Sequence, residues 1–156
     1  MKKAALSLLF LVFIVTTLSA QDVVFKKGRY FSRQNGKPFT GQITEKDSLT
    51  GKVISETAIA NGYLDGKTIL YYPDGVKKEI REYKEGKKHG TWSTWNEKGG
   101  QTAVANFSEG KKDGEWFIWD EQGIKRYEMF YKACEKSGTW IIRDETGKEI
   151  SREEFK

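Results

Sequence analysis

The chain has 156 residues, a length for about one domain or a short array of smaller units, which excludes two large domains. Hydrophobic residues make up 37%, charged residues 31% and aromatics 13%, which excludes both a disordered acidic tail and a multispan membrane protein. The formal charge is +5, but Lys2 and Lys3 sit in a leader-like segment, and without them 25 basic residues face 22 acidic ones for a net of +3.

Residues 1–20 open with Lys2 and Lys3, continue as an apolar run from Leu6 to Val15, and end on the small residues Ser19 and Ala20. That order is the pattern of a secretory signal peptide, and it predicts cleavage near Ala20 with a retained anchor as the alternative. The run is shorter than the ~20 residues a bilayer crossing needs. No Cys follows it, so a lipoprotein anchor lacks its acceptor. The expected mature chain is exported, periplasmic or extracellular, and not an integral membrane protein. Residues 22–35, with Val23, Val24, Phe25, Tyr30 and Phe31, are expected to supply a capping strand or two.

From residue 36 to the end the chain repeats itself. Gly-x-Trp recurs at Gly90 and Trp92, Gly114 and Trp116, and Gly138 and Trp140, a spacing of 24 each time. Gly66 and Gly41 extend the series backwards, with Thr68 and Ile43 in the Trp slot. Seven residues before each next anchor the slot is apolar: Ile59, Tyr83, Phe107, Tyr131 and finally Phe155. A fixed period of this length marks a repeat array. Sixteen Gly against two Pro favour tight turns between strands, because Gly supplies positive φ and Pro removes a ladder donor. The predicted fold is all-β: an elongated antiparallel meander of about five hairpins forming one twisted sheet, with ten strands spanning ~48 Å.

Each unit is expected to hold a strand of about six residues, a turn such as 120–123, a strand of eight or nine, and a Gly-x-x-Asp-Gly-like turn such as 62–66. Trp92, Trp116 and Trp140 are expected to stack as one ladder, and Tyr71, Trp95 and Trp119 as another that ends at Arg143.

The segments GKKHGTWSTWNEKG, GKKDGEWFIWDEQG and SGTWIIRDETG resemble MORN-repeat proteins, and in particular the bacterial variant group labelled YwqK-family antitoxins. The resemblance covers about residues 36–156. It implies a curved β-sheet scaffold that binds another protein, with an antitoxin or immunity role, or contact with membrane lipids, as further implications.

Candidate chemistry is sparse. His89 stands where other repeats have Asp65, Asp113 and Ser137, so it reads as a turn residue, and no metal site or cofactor is expected. Cys134 is the single cysteine and occupies a turn position held by Gly elsewhere. The pairs Asp120-Glu121 and Asp144-Glu145 recur at the slot of Asn96-Glu97, which favours turn capping over the general acid and base of a hydrolase. Lys87, Lys88, Lys111, Lys112 and Lys136 predict a positive row along one edge, able to meet an anionic lipid or polysaccharide. No nucleic-acid motif is present. The candidate binding residues are therefore Tyr71, Trp95, Trp119 and these five lysines. The leading expectation is a non-catalytic scaffold for a protein of the cell envelope.

Overall fold

The computed structural model of the protein describes residues 17–156. The first sixteen residues of the expected signal peptide lie outside the described residues.

The N-terminal part holds β1 (Thr17–Ser19), a 3-10 turn (Ala20–Asp22), β2 (Val23–Lys26) and β3 (Arg29–Ser32). The array follows as β4 (Gly41–Lys46), β5 (Val53–Ala60), β6 (Tyr63–Tyr71), β7 (Lys77–Lys84), β8 (Lys87–Lys88) and β9 (Gly90–Trp95). It ends with β10 (Gln101–Ser108), β11 (Lys111–Trp119), β12 (Lys125–Lys132), β13 (Glu135–Arg143) and β14 (Glu149–Phe155). β4 to β14 run as an antiparallel meander in one open sheet of 12 strands, two more than expected, because β1 adds to the N-terminal edge and β8 pairs separately with β7. β1 runs parallel to β4, the one parallel pairing among the described residues.

Four of the nine hairpin turns between β4 and β14 sit elsewhere than the glycine spacing predicts. Registers Ala60↔Tyr63, Lys84↔Lys87, Ser108↔Lys111 and Lys132↔Glu135 leave two-residue loops. Both loop residues have positive φ, as at Asn61 (51°) and Gly62 (81°), the conformation of a type I′ turn. Tyr63, Leu64 and Asp65 therefore belong to β6, not to a Gly-x-x-Asp-Gly turn. Each such turn is tied to the preceding one: Gly62, Gly86, Gly110 and Cys134 donate their backbone N–H to the carbonyls of Phe39, Leu64, Lys88 and Lys112 at 2.7–2.8 Å.

The opposite turns are capped by side chains. The backbone N–H groups of Gln122 and Ile124 donate to Asp120 Oδ1, and those of Thr146 and Lys148 to Asp144 Oδ1. Asn96 accepts in the same way from Lys98 and Gly100. These are Asx turns, in which a short polar side chain stands in for a backbone acceptor.

Among the described residues a buried core cluster is found only at the N-terminal end. Among the described residues the buried hydrophobic side chains are Val23, Phe39, Ile43 and Ile59, with Ala20, Tyr30 and Leu64 packed against them. The separate β2–β3 hairpin covers this end of the sheet. Tyr30 donates its N–H to Gly62 O and accepts from Phe39 N, at 2.8 and 3.0 Å. A Cβ at Gly62 would lie 2.8 Å from the Tyr30 carbonyl, so glycine is required for that approach.

Beyond Ile59 the sheet replaces a core by stacked rings. The sequence Tyr83, Trp92, Phe107, Trp116, Tyr131, Trp140 and Phe155 forms an unbroken ladder, with successive centroids 5.0–5.3 Å apart. The tryptophans do not touch one another. Equivalent residues lie two strands apart, about 10 Å, so a ring from the intervening strand must bridge them. The register places that ring opposite a glycine each time: Tyr83↔Gly66, Phe107↔Gly90, Tyr131↔Gly114 and Phe155↔Gly138. A glycine presents no Cβ, so the facing ring covers it, and Phe107, Tyr131 and Phe155 lean towards the indole two residues on, whereas Gly66 is followed by Thr68 and Tyr83 meets Trp92 instead. Such tilted or edge-on pairs add about 0.5–1.5 kcal/mol each beyond their area.

Candidate functional site

Side-chain alternation along each strand divides the candidate residues between two faces. On β11, Lys112, Gly114, Trp116 and Ile118 share the ladder face, while Lys111, Phe117 and Trp119 share the other. The same alternation puts Lys88 and Lys136 with Lys112, and Lys87 with Lys111. The single positive row expected from the sequence is thus two sets on opposite faces. Adjacent lysines must diverge once the strand begins immediately after the two-residue turn.

On the ladder face the lysines repeat one arrangement. Lys88 Nζ lies 4.6 Å from the Trp92 ring centroid and 5.0 Å from that of Phe107. Lys112 sits 4.4 and 4.6 Å from Trp116 and Tyr131, and Lys136 sits 4.3 and 4.8 Å from Trp140 and Phe155. Each ammonium caps two successive rings, a cation–π contact that shields the aromatic faces while leaving the charge towards solvent. Among the described residues none of the three forms an ion pair with a carboxylate. In the earlier repeats the equivalent positions are Phe39 and Leu64, which belong to or pack on the buried core. One column of the array therefore changes from apolar and covered to cationic and open.

The ladder is locked by its indoles. Trp92, Trp116 and Trp140 donate Nε1–H to the carbonyls of Glu82, Asn106 and Phe130 at 2.8–3.0 Å. Asn106 sits where the β10–β11 register shifts, so its carbonyl is one that the regular ladder leaves over. Further along the same face lie Ile118 and Tyr127, paired in register and 39% and 40% exposed.

Tyr71, Trp95 and Trp119 all fall on the opposite face, half-buried. They form no second ring ladder. Their register partners are Lys77, Gln101 and Lys125, none of which can bridge aromatic to aromatic across two strands. Instead the Tyr71 hydroxyl donates to Glu56 Oε2 at 2.7 Å, and Trp119 meets Phe117 at 5.8 Å and Lys125 at 5.7 Å. Burial, followed by the Glu56 hydrogen bond, raises the Tyr71 phenol above its ordinary value. Arg143, the expected end of that ladder, pairs with Glu128, which also meets Lys125 at 3.7 Å. Sequence reasoning did not single out the column behind the rings, in which Ile69, Ile80, Ser93, Val104, Phe117, Glu128 and Ile141 stand directly opposite one another. A shallow cavity of about 310 Å³ opens over Phe117, Glu128 and Phe130.

The chemistry-bearing residues are dispersed. Asp120 and Asp144 cap separate turns, and Asp120 also meets Arg126 at 3.5 Å. His89 interrupts the strand between β8 and β9, with Nδ1 3.9 Å from Glu109. Lys87 takes the closer place on Glu109, at 3.0 Å, and holds that carboxyl below the usual range. Cys134 is exposed, and its Sγ accepts the Lys112 N–H at 3.3 Å. Among the described residues no group of three or more His, Cys, Asp or Glu side chains is placed to hold a metal ion. No protein-family model matches the chain, and no curated protein matches it either.

Proposed function

We propose that the chain is a non-catalytic, exported repeat protein of the MORN-like kind that acts as a protein–protein interaction module of the cell envelope. The observation that carries this reading is the open sheet itself. Past the N-terminal core its hydrophobic side chains are only half-covered, and the rings of the ladder face recur at one pitch. Such a surface offers area and regular spacing to a macromolecule, whereas its carboxylates are dispersed over separate turns. The leader-like segment with Lys2 and Lys3 supports export, and the Gly/Trp period supports the MORN-like reading.

The test is affinity capture from an envelope extract with the mature chain as bait. One comparison bait carries Trp95→Ala with Trp119→Ala, and another carries charge-neutral replacements of the ladder-face lysines. The reading expects a defined protein partner whose capture falls for at least one folded variant. Equal recovery with all folded baits, or no partner beyond background, contradicts it.

A further inference from the structure

We infer that the partner presents an extended acidic segment with a carboxylate at every third residue, which lies across the strands of the ladder face and places those carboxylates on Lys88, Lys112 and Lys136. This deepens the interaction reading above and rests on it.

Three observations carry the inference. The first is charge. The three ammonium groups are equivalent by repeat, they share one face, and none has a carboxylate partner among the described residues, whereas Lys67, Lys87 and Lys125 each do. A row of uncompensated cations selects an anionic occupant.

The second is pitch. The indole beneath each lysine is two ring steps from the next, and the steps are 5.0–5.3 Å. The lysines therefore repeat at about 10 Å, in line with two strand spacings. A polyproline II helix has three residues per turn and rises ~3.1 Å per residue, so every third side chain returns to the same side after ~9.3 Å. A β-strand does not match. Its third residue points to the opposite side, and its same-side neighbours lie at ~6.7 and ~13 Å.

The third is the apolar flank. Along β11 the order on this face is Lys112, Trp116, Ile118, and Ile118 pairs with exposed Tyr127. An occupant that crosses the strands meets charge on one side and apolar surface on the other. Polyproline segments commonly dock on aromatic-lined surfaces and lose little conformational entropy when they do.

The test uses the mature protein and a fluorescein-labelled peptide of about four Pro-Pro-Glu units. The control peptide has the same composition with its Glu residues clustered. Fluorescence anisotropy should show tighter binding of the periodic peptide, weakening as salt rises. The variant with Lys88→Gln, Lys112→Gln and Lys136→Gln should bind about tenfold or more weakly, while Lys87→Gln with Lys111→Gln, the other-face pair, binds as the parent does. Because loss of the cation–π contacts can loosen the sheet, thermal unfolding is recorded for each variant, and the Lys→Arg set should retain binding.

Equal affinity for both peptides, or an unchanged affinity in the Gln variant, overturns the inference. So does tighter binding of a polyuronate or of phosphatidylglycerol vesicles through the same three lysines, which makes the ligand a glycan or a lipid surface. If the peptide fails while capture from extract still depends on Trp95 and Trp119, the inference falls and the interaction reading stands. If both fail, both fall.

Discussion

The indole of Trp116 donates its N–H to the backbone carbonyl of Asn106 at 3.0 Å, joining two strands at the point where their register shifts. The same link recurs at Trp92 and Trp140, so the tryptophans act as ring and as cross-strand tie together. Trp116→Phe keeps a ring in the ladder and removes the donor. Urea unfolding should show a loss of about 1–2 kcal/mol, the cost of leaving a partly buried carbonyl unpaired. Tyr131→Phe is the matched control. Its hydroxyl makes no hydrogen bond among the described residues, and its stability should change by less than about 0.5 kcal/mol. Equal losses for the two variants would show that the tie contributes nothing.

Cys134 occupies the second position of a type I′ turn with φ of 78°, where the preceding repeats have glycine. A side chain in that region costs about 1–2 kcal/mol. Cys134→Gly should therefore raise the stability by roughly 1 kcal/mol, reduced somewhat by loss of the Lys112 N–H contact to sulfur. Differential scanning calorimetry under reducing conditions measures it, and a lower midpoint for the variant would refute the strain argument.

Ile59 is 3% exposed in the N-terminal core, whereas Ile118 is 39% exposed on the open sheet. Ile59→Ala should cost about 2–4 kcal/mol, and Ile118→Ala less than about 1. Similar costs would mean that the second half of the array has a hidden core after all.

Acid should weaken the fold in a defined window. The Thr146 hydroxyl bound to Asp144, the Thr50 N–H bound to Asp47, Lys87 beside Glu109 and Arg152 beside Glu149 hold these four carboxyls below their ordinary values. With folded values depressed, the unfolded chain binds more protons at acid pH, so stability rises as pH increases towards about 4 and is lost as pH falls through the folded values. Urea midpoints from acid to neutral pH check this. Asp144→Asn should keep the turn, as Asn96 does in its own repeat, and flatten part of the slope. A slope of opposite sign would contradict the assignment.

The period of the fold was legible because Gly90, Gly114 and Gly138 each precede a tryptophan at one spacing, and period-two alternation follows from any strand. The turns were only half legible. Asn61-Gly62 is a recognised type I′ pair, but Glu85, Glu109 and Ala133 give no such signal, and the second glycine of each Gly-x-x-x-Gly motif drew the turn too far along the chain. That error in turn length hid two consequences. It merged Lys87 with Lys88 on one edge, and it stacked Trp92 on Trp116 where Phe107 stands between them. The absence of a second ladder also depended on register, because only pairing reveals that Lys77, Gln101 and Lys125 stand beside Tyr71, Trp95 and Trp119.

The most direct test is a nuclear Overhauser map of the aromatic side chains in the mature protein. The structure predicts cross-peaks in one order, from Tyr83 to Trp92, Phe107, Trp116, Tyr131, Trp140 and Phe155, with Lys88, Lys112 and Lys136 side-chain protons shifted by the rings beneath them. Missing peaks between these neighbours, or peaks joining Tyr71, Trp95 and Trp119 to one another, would contradict a sheet held together by a single ladder.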